Sequence, residues 1–365
     1  MNEAIYAYLE KIGPVFCLDI GSGTQDALLA LPGVNFDNWP RFVLPSPARR
    51  IRSRIEKATQ AKTALWLYGG NMGGGFSQAL VTHLAAGLPC YATQEAAKAI
   101  CDDPQKVQKM GITFAEHCPM AALPLHLTDF SPEFWQTFWL SLDLPLPALT
   151  VASAQDHGFC LTGNRTFRMQ IWADLLARHA SLPDWIYHEV PQALTRLGAL
   201  QAASGGPVAD TGTSALLAFL CDSGILKRSF DTGITLVNAG NTHTLAALIF
   251  QGKVCGLYEQ HTGLIDKAKL AQDLKDFRLG WLPCEQVQKA MGHGTVYGKR
   301  PEEAGGFEPT YFTGPQRERF AGLGQFANPL GDMMVAGCFG LLYGLSLAAS
   351  TPTNLTEYTH AHGCL

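Results

Sequence analysis

Two segments in opposite halves of the chain share one local pattern, and that repetition limits the fold more than any other feature. Residues 16–29 read FCLDIGSGTQDALL, and residues 235–248 read TLVNAGNTHTLAAL. Each joins a short apolar run to a second one through turn-forming residues, which predicts a buried β-hairpin. Laid on each other with a one-residue gap, they match Asp19 to Asn238, Gly21 to Gly240, Thr24 to Thr242 and Asp26 to Thr244. A third strand follows each hairpin, at 41–44 and 254–259, and helices and strands then alternate. The expected class is α/β, with two lobes of order β-β-β-α-β-α-β-α produced by internal duplication. Residues 1–230 are expected to form an N-terminal lobe with an irregular insertion, and 231–365 a C-terminal lobe.

Composition removes several alternatives. Of 365 residues, 47% are hydrophobic and 16% charged, against about 25% charged in ordinary domains. Such a chain buries a large core, and wholesale disorder is excluded. A net charge of -4 gives no electrostatic footprint for nucleic acid. The closest of the ten cysteines, Cys90 and Cys101, are well separated, and no CxxC occurs. The CxxxCxxC run that holds a radical-generating iron–sulfur cluster is also absent. Reduced thiols and a cytoplasmic location are expected, because the opening MNEAIYAYLEKIGP lacks an apolar secretion region. Residues 333–350 carry no charge and place Gly340 and Gly344 in GxxxG spacing. That pattern also occurs in membrane helix pairs. A single segment without a basic flank, with Asp332 near its start, is expected to be a buried helix of an α/β core, with no membrane partner.

The turns suggest chemistry. A Gly- and Thr-rich turn lets backbone N–H groups approach a phosphate without Cβ obstruction. Ser22 and Thr24 add hydroxyls, and Asp19 at a strand end suits a hydrated Mg2+. Two such hairpins facing each other would clamp a phosphate chain, whereas each alone is only a tight β-turn. Neither a Walker A sequence nor a GxGxxG opening a helix is present. The GGNMGGG loop at 69–75 is expected to line a cleft, since ordering so flexible a linker for nothing is unfavourable. His157, His243, His261 and His293 all lie in or near Gly-containing turns, where neutral imidazoles can gather around a metal. No pair of them has helical i, i+4 spacing. The tail residues His360, His362 and Cys364 offer a second ligand set, with a mobile terminus as the plainer reading.

DIGSGTQD resembles the first phosphate-binding turn of the actin-like superfamily, which groups actin, heat-shock ATPases, sugar kinases and acetate kinases. VNAGNTHT resembles the second phosphate turn, and YFTGPQRERF the strand and Gly turn that hold the nucleoside. More specifically, the chain resembles a family labelled pyruvate formate-lyase activating enzyme. That likeness lies in DIGSGTQD, GGNMGGG, AQDHG, VNAGNTHT, GHGTVYG, TGPQR and NPLGDMMVAGCFGLL. The resemblance implies a two-lobed actin-like ATPase fold that takes ATP or ADP with Mg2+. Gly21, Ser22, Gly23 and Thr24 would contact phosphate from one side, and Gly240, Asn241 and Thr242 from the other. Gly314 and Arg317 would lie near the nucleoside. Asp19 would organise Mg2+, and Asp156, at a strand end, would be the catalytic base. A turn-capping role is the alternative for Asp156. The second turn carries Asn238 where the superfamily commonly has Asp, which predicts a weaker hold on metal. The expected activity is that of an ATPase or small-molecule kinase. The alternatives are a non-catalytic nucleotide sensor acting on a partner protein, or a metal-dependent enzyme using the turn histidines. Glycyl-radical activation is not expected without the cysteine run.

Overall fold

The computed structural model describes residues 3–161, 163–178 and 181–350; His360, His362 and Cys364 lie outside them. Val15–Ile20 and Thr24–Ala30 form the first hairpin, which is buried on both faces because its apolar residues run continuously rather than alternating. Arg41–Pro45 adds to its outer edge. On the inner side Val15–Ile20 pairs in parallel with Leu149–Ala154, and the sheet continues through Val208–Ala209 to Ile186–Tyr187. The second sheet repeats this plan. Ile234–Ala239, His243–Phe250 and Lys253–His261 run antiparallel, and Ile234–Ala239 pairs in parallel with Thr310–Thr313. Gln325–Phe326 and Gly294–Tyr297 form its edges. The molecule therefore has a duplicated, two-lobed architecture.

Two details differ from the sequence expectation. The hairpins superpose without a gap. Gly21 N–H donates to Thr24 O at 2.9 Å, and Gly240 N–H donates to His243 O at 2.9 Å. Thr24 is thus equivalent to His243 and Asp26 to Leu245, because both turns span the same number of residues. The strands after the first long helix also do not complete the first lobe. Ile112–Phe114, Cys90–Ala92, Leu65–Gly69 and Leu123–Leu127 form a separate four-stranded parallel sheet. It has its own core, including Ile51, Ile55, Leu67 and Leu80. A strand–helix alternation reads the same whichever sheet receives the strand, so the sequence pattern did not separate this insertion.

Helix Pro47–Gln60 starts where Ser46 Oγ accepts the Arg49 N–H at 3.3 Å and Pro47 occupies the first turn. Its Ile51, Ile55 and Ala58 form the buried face. An apolar helix closes each strand series, Thr211–Leu220 after Val208–Ala209 and Ala336–Ser350 after Gln325–Phe326, and these two pack together. A Cβ on Gly340 would run into the Ser214 carbonyl oxygen. The GxxxG spacing therefore serves close helix approach inside the core. Among the described residues no helix is long and apolar enough to cross a membrane. Leu217, Leu341 and Leu342 join Val15, Val151, Leu236 and Leu245 in one cluster, so a single core runs from lobe to lobe.

Candidate functional site between the lobes

A cleft of about 810 Å3 opens between the sheets, and both hairpin turns line it. Gly21, Ser22 and Thr24 stand on one wall, and Gly240, Asn241 and Thr242 on the other. The turns meet: Thr242 Oγ1 donates to Ser22 Oγ at 2.9 Å. Gly23 faces the same gap, where an added Cβ would stand 3.6 Å from Asn241 Nδ2. Its φ lies outside the left-handed region, so the turn itself does not require glycine there. Ser46 Oγ donates to Ser22 O at 3.0 Å and supports the first turn from behind. The GGNMGGG loop lines the cleft through Asn71 to Gly75, as expected for it.

Asp19 sits at the end of its strand, with Ser153 Oγ donating to its Oδ1 at 2.6 Å. Asp26 is its partner across the hairpin, so both carboxylates lie on one side of the sheet. Asp26 Oδ1 is buried without a hydrogen-bond partner. Burial pushes the Asp19 carboxyl up to about 6, against the opposing hydrogen bond from Ser153. Burial, and then the neighbouring Asp19 charge, pushes Asp26 up to about 8. Two facing carboxylates with an unmet acceptor suit a hydrated Mg2+. The sequence reading singled out Asp19 and not Asp26. The signal was present, because hairpin register opposes the first and last residues of DIGSGTQD.

Asp156 also lines the cleft, but its carboxylate caps helix Thr195–Ser204. Oδ2 accepts the N–H groups of Arg196 and Leu197 at 2.9 and 3.0 Å, and Oδ1 accepts that of Gly158 at 2.8 Å. Burial raises its pKa while the bonds from Leu197 and Gly158 oppose the rise. On the second lobe Asn238 lines the cleft where the first lobe has Asp19, and Leu245 stands where it has Asp26. That hairpin therefore presents no carboxylate at either place. Gly314 borders the cleft with φ +96, and a Cβ there would stand 2.6 Å from Asn238 Oδ1. Arg317 is not on the cleft wall. Its guanidinium lies 5.6 Å from the Phe326 ring centre and donates to Gly314 O at 3.2 Å.

Below the turns a buried ionic network joins the lobes. Arg168, on helix Asn164–Arg178, donates to Glu259 Oε2 at 2.5 Å and to Asp210 Oδ2 at 2.9 Å. Gln155 Nε2 adds a bond to Glu259 Oε1 at 2.9 Å. Burial pushes the Glu259 carboxyl up, but Arg168 more than offsets this and holds it well below the usual carboxylate range. These partners are remote in sequence and follow no spacing rule, so nothing in the sequence marked them.

The turn histidines converge beside this network. One ring nitrogen from each of His157, His243 and His293 lies within 4.8 Å of the others. The His261 ring centre is 4.6 Å from that of His243. His293 is 4% exposed, and neither of its ring nitrogens has a hydrogen-bond partner; His243 Nε2 also has none. Burial lowers His243 to about 3 and His293 to about 4, so both rings are neutral at neutral pH.

The sequence profile of the family described as "Putative pyruvate format-lyase activating enzyme (DUF1786)" matches residues 72–319, more than half of the chain. The chain belongs to this family. No curated protein shows significant similarity to it. Among solved structures, the chain is similar to the inorganic polyphosphate/ATP-glucomannokinase of Arthrobacter sp. strain KM at 12% identity. That match covers 92% of this chain and 99% of the other, with a TM-score of 0.33. The ethanolamine utilization protein EutJ of Carboxydothermus hydrogenoformans matches at 8% identity over 94% and 99%, with a TM-score of 0.32. The PilM-PilN type IV pilus biogenesis complex matches at 10% identity over 93% and 99%, with a TM-score of 0.35. The shared strand order of the two sheets carries the fold assignment of this family member.

Proposed function

We propose that the interlobe cleft binds ATP or ADP with Mg2+, the phosphate chain lying between the 21–24 and 240–242 turns. The observation that carries this reading is the meeting of two duplicated Gly turns across one cleft, with Ser22 and Thr242 in hydrogen-bond contact. Backbone N–H groups supply most of the phosphate binding. Asp19 with Asp26 would hold the ion, which neutralises phosphate charge when bound. Gly314 borders the nucleoside end, and Arg317 braces that turn from behind.

As an enzyme, this protein would be an ATPase or small-molecule kinase, in which transfer depends on positioning and charge neutralisation. Two observations favour a nucleotide sensor acting on a partner protein. Both carboxylate oxygens of Asp156 are taken by backbone donors. The second turn has Asn238 and Leu245 where the first has carboxylates. Calorimetric titration with ATP and ADP, with and without Mg2+, tests the binding. At 100 times its dissociation constant, a ligand adds about 2.7 kcal/mol of stability. Absence of binding by either nucleotide refutes the reading. A phosphate-release assay then separates its two forms. Binding without turnover supports the sensor, and turnover lost in Asp156→Asn supports the enzyme.

A further inference from the structure

We propose that His157, His243 and His293 form a metal centre for a divalent first-row transition ion, with Zn2+ as the probe that tests it. The three residues come from separate elements. His157 follows strand Leu149–Ala154 of the first lobe, His243 opens strand His243–Phe250 of the second, and His293 precedes strand Gly294–Tyr297. Their convergence is therefore tertiary and owes nothing to local spacing. Three ring nitrogens, two on His293 and Nε2 of His243, are buried without partners. Leaving such groups unmet is unfavourable, and a coordinated ion would satisfy those that turn towards it.

The donor set selects the ion. Imidazole suits zinc, copper, iron and nickel, whereas Mg2+ takes oxygen. Tetrahedral zinc with bonds of about 2.0–2.1 Å places ligand nitrogens about 3.4 Å apart. The present separations, all within 4.8 Å, require the rings to draw in by roughly 1 Å. The backbone is already fixed near the site, since His293 N–H donates to Glu259 O at 3.1 Å. Glu259's carboxylate is held by Arg168 and Gln155. His261, though its ring lies beside His243, is not among the residues whose ligand nitrogens converge, which leaves the three imidazoles as the protein ligands. Three protein ligands are the pattern of an open site, whose fourth position takes water or substrate. His157 and His243 line the cleft, so that position would face whatever the cleft binds. His243 directly follows the second turn, where no carboxylate is present to hold a hard cation.

This inference rests on the histidine geometry and not on the nucleotide reading. The full chain is dialysed against a chelator and titrated with Zn2+ by calorimetry, and X-ray absorption is then recorded on the loaded protein. We expect one Zn2+ per chain and a first shell of nitrogen and oxygen with imidazole scattering. His157→Gln and His293→Gln should each weaken binding more than about a hundredfold, beyond the 10–100-fold that outer-shell changes cost. His83→Gln, at a buried histidine bonded to Thr59, should leave binding unchanged. Circular dichroism checks that each variant is folded. If His293→Gln does not fold, His157→Gln on the cleft wall gives the decision alone. No Zn2+ binding by folded wild type, sulfur in the first shell, or wild-type affinity in folded His157→Gln would overturn the proposal. Titrating ATP and ADP with Mg2+ into the chelator-treated protein keeps the two readings separate, because nucleotide binding there stands without zinc.

Discussion

Asp19 and Asp26 face each other across the first hairpin, and no ion pair among the described residues includes either one. Burial therefore favours their protonated forms, with values near 6 and 8 in the folded protein. The sign follows from linkage. A carboxyl raised on folding contributes fully below its unfolded value, near 3.9. That contribution is lost as pH rises through the folded values. The buried histidines, neutral when folded, oppose this trend up to their unfolded value near 6.5. In chelator, the melting temperature should therefore fall between about pH 6.5 and pH 8, with a loss of about 2 kcal/mol of stability. Asp26→Asn should flatten most of that slope. Mg2+ should raise the melting temperature near pH 8 and do little near pH 5, since the ion competes with protons for the same oxygens. Thermal melts across this range with wild type and Asp26→Asn check the assignment, and parallel pH profiles for the two proteins would contradict it.

At the scale of elements, the paired closing helices make the sharpest demand on side-chain size. Gly340→Ala puts a Cβ into the Ser214 carbonyl oxygen and 2.7 Å from Ala218 N. Neither backbone atom can rotate away, so the helices must separate. The variant should lose about 3 kcal/mol or more, at or beyond the upper end of ordinary overpacking. Gly198→Ala, on helix Thr195–Ser204 with nothing within 4 Å of the new Cβ, should be neutral or gain up to about 1 kcal/mol. Urea unfolding midpoints measure both. Helix Ala336–Ser350 shows what was legible in the sequence. Its uncharged run and Gly spacing gave a buried helix, but not that Thr211–Leu220 was the partner. The hairpins were legible because apolar runs meeting at Gly-rich turns admit few conformations. Leu149–Ala154 and His243–Phe250 were delimited by turn residues at their ends. The inserted sheet was not separable, and strands as short as Val208–Ala209 leave no period to detect. In the candidate site, turn chemistry exposed both Gly turns and the four histidines, whose rings cluster together with His157 and His243 on the cleft wall. Arg168, Asp210 and Glu259 were hidden because a buried ion pair depends only on tertiary placement.

For the whole molecule, ligand binding and lobe position are one question. The Ser22–Thr242 bond spans the gap where the proposed phosphate chain would lie, so a ligand there must break it and move the turns apart. Two other links resist that movement: the Arg168–Glu259 pair and the continuous core around the closing helices. The closing helices should therefore act as the fixed axis, with displacement confined to the turns. Hydrogen exchange with saturating ADP and Mg2+ should slow at residues 21–24 and 240–242 and stay unchanged in Ala336–Ser350. Gly23→Val provides the steric test. It fits the fold, since the site has ordinary φ and its Cβ meets only Asn241 Nδ2 at 3.6 Å. Its branched side chain nevertheless fills the gap between the turns. Calorimetry should show affinity reduced more than about tenfold, a loss of at least ~1.4 kcal/mol, with no protection of either turn. Thr24→Ala should lose much less, because backbone donors supply most of the binding, and Asp19→Asn should remove the Mg2+ dependence. Equal affinity in wild type and a folded Gly23→Val would mean that nothing binds between the turns, and the cleft's ligand would then have to be sought at the histidines.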